Sequence, residues 1–462
     1  MGRTDLVIAS NRGPLSFKKT DDGSLQPVRG AGGLVSSLGP LIEGTGATWV
    51  AAAMSDEERE AIASSQVVEA EGFRLRSLDI DPTQWRQAYN VISNATLWFL
   101  HHGLYDLPRQ PRFDRHWREA WDGYRAVNRR FAEAIADEAP EGGTALVQDY
   151  HLSLVPKLLA ELRPDLRTVH FSHTPFAEPS ALGMLPTGKE LLEGMAAAAA
   201  CGFHARRWAA NFSACCQEVL GHAATTFVSP IAPDPSDLST VAESPECAAE
   251  AAWVEQHQGP SGRDRKLLVR VDRIELSKNI VRGFLAFDLL LEERPEWREQ
   301  VVFIALIYPS RQSLVEYQAY RQEVTTVVER INARWARPDW TPIVLDPSDN
   351  FPRSVAALQR YDVLLVNPVR DGLNLVAKEG PLINQRDGVV ALSREAGVWD
   401  ELASAALGLN PFDLADTADV LHRALSMSTT ERAERSTKLC EAAIARAPQD
   451  WLDDQLRAAT PA

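Results

Sequence analysis

Short apolar runs recur along the chain, each followed by a polar or glycine-containing turn and then by a stretch with helical spacing. Leu6-Val7-Ile8-Ala9, Trp49-Val50-Ala51-Ala52-Ala53, Thr144-Ala145-Leu146-Val147-Gln148, residues 167–172, Lys266-Leu267-Leu268-Val269-Arg270-Val271, residues 300–307 and Val363-Leu364-Leu365-Val366 are such runs. They lack the strict alternation of a sheet with one wet face, which predicts strands buried on both faces of parallel sheets. Helical spacing over 34–41, 121–135, 154–162, from about 280 to 291, and over 451–459 supplies the covering layers. Strand, turn and helix in repeated succession predict α/β architecture with doubly wound sheets.

With 462 residues the chain is too long for one hydrophobic core, and two domains are expected. Residues 232–265, rich in Pro, Ser, Ala and Glu, read as a surface segment between them carrying one short helix. The expected division is 1–231, 232–445, and a terminal piece, 446–462, packing back on the first domain. A formal net charge of −15 and a pI near 5.2 argue against a nucleic-acid partner. A phosphate ligand would then need locally clustered Arg and Lys. No apolar run reaches the ~18 residues of a membrane span, and no signal-peptide pattern precedes the first strand. The five cysteines lack metal-ligand spacing and read as reduced thiols, so a cytoplasmic protein with no membrane partner is expected.

In open α/β sheets ligands bind beyond the carboxyl ends of the strands, and the titratable residues of this chain fall there. The first run ends in Ser10-Asn11-Arg12-Gly13-Pro14, and Gly30-Ala31-Gly32-Gly33-Leu34 follows as a glycine-rich turn opening a helix. That turn is either a phosphate cradle or a flexible surface loop. Asp149 and His151 close one run and His173 closes the next, while Tyr89 and Trp98 offer flat faces suited to sugars or to a core. Arg273 and Lys278 are two cations at another strand end, as a diphosphate requires, and Arg311 follows a further strand. The run at 363–366 leads into Asp371-Gly372-Leu373-Asn374-Leu375-Val376-Ala377-Lys378-Glu379-Gly380, a turn and helix start with Asn374 as N-cap. Free N–H groups in such a first turn face a bound anion. Asp371 could accept from sugar hydroxyls and Glu379 from a ribose diol; a polar loop before a solvated helix is the alternative. Asp79-Ile80-Asp81 stands without a second ligand cluster, so no metal site is expected.

Asp149-Tyr150-His151-Leu152, His173-Thr174-Pro175-Phe176, Arg273-Ile274-Glu275-Leu276-Ser277-Lys278 and Asp371 to Glu379 together resemble the trehalose-6-phosphate synthase family. The likeness runs from Ser10-Asn11-Arg12 to the last helix. It implies a retaining glycosyltransferase of the GT-B type, two Rossmann-like domains facing a central cleft, without cofactor or metal. The implied partners are a nucleotide-glucose donor and glucose 6-phosphate as acceptor, and a homo-oligomer is compatible with it. Carried over, Gly32, Gly33, Arg273, Lys278, Asp371, Gly372, Asn374, Leu375, Val376 and Glu379 contact the donor. Arg12, Tyr89, Trp98, Asp149 and Arg311 contact the acceptor, the two arginines at its phosphate. His173 touches the donor sugar near its 6-hydroxyl, and Asp149, His173, Arg273, Lys278 and Asp371 act at the reacting centre.

Departures from the family pattern concentrate on the acceptor side. Gln148 stands for the usual His, Thr174 for Ile and Ala177 for Pro, and the Trp-Phe-Gly-Trp-Ser-Gly segment becomes Trp49-Val50-Ala51-Ala52-Ala53, without its second tryptophan. A pseudoglycosyltransferase coupling a nucleotide-activated cyclitol to an amino-cyclitol phosphate would share both phosphate sites. A non-catalytic sugar-phosphate sensor would be expected to lose Arg273, Lys278 and Asp371. Asp346-Pro347-Ser348-Asp349-Asn350-Phe351, where the nucleobase is expected, is acidic, and a carboxylate suits the two adjacent donors of guanine better than uracil. This favours GDP-glucose slightly over UDP-glucose.

Overall fold

A computed structural model describes residues 5–30, 33–63, 67–259 and 265–460. It divides into two compact units, one of residues 1–231 with 448–462 and one of 232–447.

The first unit is built on an eight-stranded sheet in the order Thr226–Val228, Ala200–Phe203, Arg167–Ser172, Thr144–Gln148, Leu6–Ala9, Thr48–Ala52, Phe73–Leu78, Val67–Ala70. All neighbours pair in parallel except the last two strands. Leu6, Val7, Ile8, Leu146 and Val147 are fully buried, as runs without alternation require when helices cover both faces. The strand order reverses between Leu6–Ala9 and Thr144–Gln148, and the crevice of such a switch point opens at the carboxyl ends of these two strands.

The second unit has six parallel strands in the order Ile343–Asp346, Val301–Pro309, Lys266–Ile274, Val363–Val366, Val389–Ser393, Leu407–Leu409. In chain sequence this is the 3-2-1-4-5-6 order of a dinucleotide-binding sheet, with its switch point between Lys266–Ile274 and Val363–Val366.

The segment expected to be a surface connection with one short helix is instead two helices, Pro235–Ala242 and Pro245–Gln258. Asp234 and Ser244 cap them, each followed by Pro at the first helical position. Cys247, Ala251 and Val254 recur at helical spacing and are buried. Glu250 bonds Asn350 and Arg353, tying the second helix into the second unit. Alanine-rich composition masked the periodicity.

Pro448–Ala458 belongs to the first unit. Its Trp451 is fully buried and stands edge-on to Phe171 at 5.2 Å, while Gln455 bonds Gln148 and Asp454 bonds Ser229. Trp451→Ala empties a core site, so equilibrium urea unfolding should show a loss of about 3–5 kcal/mol. A change under 1 kcal/mol would mean that this helix does not help hold the first unit.

Candidate functional site

At the switch point of the second unit, the strand Lys266–Ile274 delivers Arg273 and runs through Glu275 into a single turn, Leu276–Lys278. Glu275 is fully buried, and its Oε1 lies 3.3 Å from Arg273 Nε and 3.2 Å from Arg311 Nη1 and accepts from Ser310 Oγ at 3.0 Å. Burial raises the cost of this charge, but Arg273, then Arg311 and Lys278, outweigh it and hold the carboxyl down at about 2. Arg311, at φ 44°, also donates to the Tyr317 hydroxyl at 2.7 Å. Beside it lies a cavity of about 260 Å³ lined by Ile274, Pro309, Ser310, Gln312, Tyr317, Gln318 and Arg321.

Lys278 bonds Asp371 Oδ2 at 2.6 Å. Burial alone would lower the lysine's affinity for its proton, but Asp371, Asp272 and Glu275 raise it above the ordinary range. The turn carrying Asp371 is fastened to the neighbouring loop: Asp371 N–H donates to Glu395 O, Gly397 N–H to Asp371 O and Val398 N–H to Leu373 O. Asn374 adopts φ 91°, donates to Asp371 Oδ2 at 3.1 Å and accepts from Ala377 N–H at 3.3 Å. Its carbonyl oxygen thus serves the helix Val376–Ile383, but the N-cap by geometry is Leu375, one residue later than expected. Gly372 is buried in this turn, and the first-turn N–H groups of Leu375 and Val376 lie at the end where a helix leaves its donors without intrahelical acceptors. Glu379 lies within the first turn, half-buried, and desolvation pushes its carboxyl up to about 7.

At the switch point of the first unit, Asp149 follows Thr144–Gln148 at φ 72°, a conformation that costs a non-glycine residue free energy. Its Oδ1 accepts the backbone N–H of His173 at 3.2 Å, which joins two successive strand ends, and Oδ2 lies 3.8 Å from His151 Nδ1. His173 Nδ1 is 3.1 Å from His204 Nε2 and its Nε2 is 3.1 Å from Gln148 Oε1. Burial, with a further push from His170, lowers the imidazole to about 3.

Tyr89 and Trp98 sit on one helical run in which Gln87–Leu97 is wound as a π-helix; Trp98 N–H donates to Ser93 O, five residues back. Wider winding of this kind gathers at functional sites. Tyr89 stacks between Trp85 at 5.2 Å and His151 at 5.8 Å. Trp98 is buried, stacks on His102 at 3.9 Å and meets Tyr150 at 5.9 Å. Tyr150 donates to Asn94 at 3.0 Å, pinning this run to the turn that carries Asp149.

Arg12 is exposed beyond the first strand, with no ion pair among the described residues. Trp49 is fully buried and donates to Ser10 Oγ at 2.8 Å, so it walls no sugar site. Gly33 opens the helix Gly33–Ile42, and Gly32 lies outside the described residues. Asp81 caps the helix Pro82–Arg86 and Asp79 lies 3.4 Å from Arg59, which gives both acids structural work. Among the described residues, no group of three or more His, Cys, Asp or Glu side chains could hold a metal ion.

Sequence reasoning placed Arg273 and Lys278 at the end of one strand and Asp371 beyond another, and the structure brings Lys278 and Asp371 into contact. It passed over Glu275 as an anchor, although an acid between two cations in a strand-end turn was a readable signal. His204 and Gln455, which close the network around His173, are distant in sequence and gave none.

A model of glycosyltransferase family 20 matches residues 4–460. The trehalose-6-phosphate synthase of Mycolicibacterium smegmatis is 33% identical over 476 residues, covering 97% of this chain and 91% of that protein. An E. coli structure described as trehalose-6-phosphate bound with UDP-2-fluoro glucose superposes with a TM-score of 0.85 at 26% identity, covering 99% of each chain. The UDP-forming α,α-trehalose-phosphate synthase of Burkholderia xenovorans, in complex with glucose-6-phosphate, gives 0.85 at 28% identity over 98% of this chain and 99% of that one.

The desolvated, half-buried Glu379 carboxyl has a consequence for stability. Its folded value of about 7 lies above the ordinary 4.5, so between these values the native state keeps a proton that the unfolded chain has lost. Stability is therefore lost as pH rises through this window. Glu379→Gln removes the charge and should stabilise by on the order of 1–3 kcal/mol at pH 8, with the gain fading towards pH 5. Thermal melting at the two pH values checks this; a loss of stability at pH 8 contradicts it.

Proposed function

This chain belongs to glycosyltransferase family 20, and from that premise we propose that it makes α,α-trehalose 6-phosphate from UDP-glucose and glucose 6-phosphate. Its fold is the GT-B type, two Rossmann-like sheets. The observation that carries the reading is the charge arrangement at the second unit's switch point. Two arginines are anchored by one buried carboxylate, and Lys278 stands beside Asp371 at the entrance to a helix.

In this reading Arg273, Lys278 and the first-turn N–H groups of Leu375 and Val376 bind the donor diphosphate. Asp371 holds the transferred glucose and Glu379 the ribose. Arg12 and Arg311 bind the acceptor phosphate, and Tyr89 and Asp149 its sugar. When the bond between the sugar's anomeric carbon and the phosphate oxygen breaks, its electron pair leaves on the diphosphate. Fixed cations and helix N–H groups stabilise that growing charge more than they stabilise the bound substrate. The acceptor's anomeric hydroxyl oxygen bonds to the anomeric carbon from the face the diphosphate leaves. Its proton passes to the leaving phosphate oxygen, so configuration is retained and UDP departs.

Uracil is preferred over guanine for a structural reason as well as for the relatives' UDP-forming activity. The Asp346 carboxylate, a candidate partner for guanine, accepts from Ser348 N–H and Oγ and from Arg353 Nη1 at 2.6 Å. Asn350 caps the following helix. These commitments occupy Asp346, while Asp349, the other acid of this segment, is exposed. The five cysteines are reduced, four of them buried, which fits a cytoplasmic protein.

Assays of glucose 6-phosphate with UDP-, GDP- and ADP-glucose should give the highest kcat/KM for the uridine donor, with α,α-linked product by NMR. A tenfold preference for GDP-glucose would overturn the donor, and turnover only with an amino-cyclitol phosphate would overturn the acceptor. Arg273→Ala and Lys278→Ala should each lower kcat/KM by roughly 30- to 1000-fold, equivalent to about 2–4 kcal/mol. Near-normal turnover in a variant that melts like the parent would remove that residue from the donor site.

A further inference from the structure

Four side chains in the first unit form a hydrogen-bonded line whose donors all point one way. Ile231 N–H donates to His204 Nδ1 at 3.4 Å, so the His204 proton resides on Nε2. That nitrogen is 3.1 Å from His173 Nδ1, which must accept. The His173 proton is then on Nε2, 3.1 Å from Gln148 Oε1. The remaining donor group of Gln148 reaches Gln455 Oε1 at 2.9 Å, and Gln455 Nε2 turns back to Trp451 O at 3.4 Å within its own helix. Gln148 and Gln455 are both fully buried, so neither amide exchanges this partner for water.

We propose that Gln148, held from behind by Gln455 of the helix Pro448–Ala458, is a positioning residue that fixes His173 as a neutral imidazole with its proton on Nε2. The amide of Gln455 accepts only from the nitrogen of Gln148, and this stops the Gln148 amide from rotating. The oxygen of Gln148 is thereby kept facing His173. Trp451 of the same helix stands at 5.6 Å and 61° against the His173 ring and holds its plane. The other neighbours agree with a neutral ring: Asp149 takes the His173 backbone N–H, not the imidazole, and His170 disfavours a positive charge nearby. The family pattern has histidine where this chain has Gln148. An amide cannot take up a proton at working pH, so here the contact cannot switch between donor and acceptor by titration. With both nitrogens engaged, His173 offers a donor sugar its ring C–H edge and fixed backbone.

The link to donor binding rests on the function proposed above; the tautomer does not, and the test separates them. In protein labelled with ¹⁵N-histidine, the His173 resonances should show the Nε2–H neutral form, unchanged between pH 5.5 and 8.5. Gln455→Met removes the acceptor while keeping the volume, and the Gln148 amide is then free to rotate. Although His204 keeps the proton on Nε2, the His173 Nε2–H should lose its fixed acceptor, shift its ¹⁵N resonance and raise the UDP-glucose KM at least fivefold with little change in kcat. Gln455→Glu still accepts from Gln148 and should restore both readings, whereas a purely packing role would favour the methionine. A proton on Nδ1, an imidazolium at pH 7, or a methionine variant with the parental spectrum would overturn the proposal. If the methionine variant fails to fold, the parental spectrum alone decides the tautomer. A chain that shows the tautomer but transfers no glucose would overturn the function instead.

Discussion

Parallel strands cannot be joined by a tight turn, and most of this structure follows from that constraint. Each strand must be followed by a crossover, here helical, and the helices cover both faces of each sheet. Apolar side chains therefore fill most of the sheet faces, with buried exceptions such as His170 and Arg270. Polar side chains otherwise collect at the carboxyl edge, where each strand hands over to its helix. Because the strand order reverses once in each unit, two adjacent loops diverge there and leave room for a ligand. Arg273, Lys278 and Asp371 occupy one such edge, and Arg12, Asp149 and His173 the other.

Cations gathered at one strand edge, as Arg273, Arg311 and Lys278 are, repel one another. In the second unit this repulsion is answered by acids placed among them. Glu275 sits between Arg273 and Arg311, and Asp371 against Lys278. Desolvation of the buried Glu275 is outweighed by Arg273, Arg311 and Lys278 together, so anchor and cations are interdependent. The acidic overall composition is therefore no obstacle to binding phosphates: the local arrangement, with fixed geometry, matters more than the sum.

The strands were legible because runs such as Leu6 to Ala9 and Val363 to Val366 are apolar throughout, a pattern that fits little else. The edge residues were legible because they follow those runs directly. What escaped was set by tertiary packing. Helical winding with hydrogen bonds that span one residue more than in an α-helix over Gln87–Leu97 is not encoded by any simple periodicity, and Tyr89 on this run stacks on His151. The helix Pro245–Gln258 hid behind alanines that carry little hydrophobic contrast. Asp346 looked available in sequence, and only the approach of Arg353 and Ser348 shows it to be occupied.

The return of Pro448–Ala458 to the first unit also sets an order of events during biosynthesis. A ribosome releases residues 5–231 first, yet Trp451 and Gln455 emerge only after the whole second unit has been made. Until then Phe171, His173 and Gln148 lack the side chains that cover them in the finished fold. The nascent first unit must wait with an uncovered apolar seam while the second is made. The two halves are thus joined in time as well as by peptide bonds, because a segment made after the second unit completes the first.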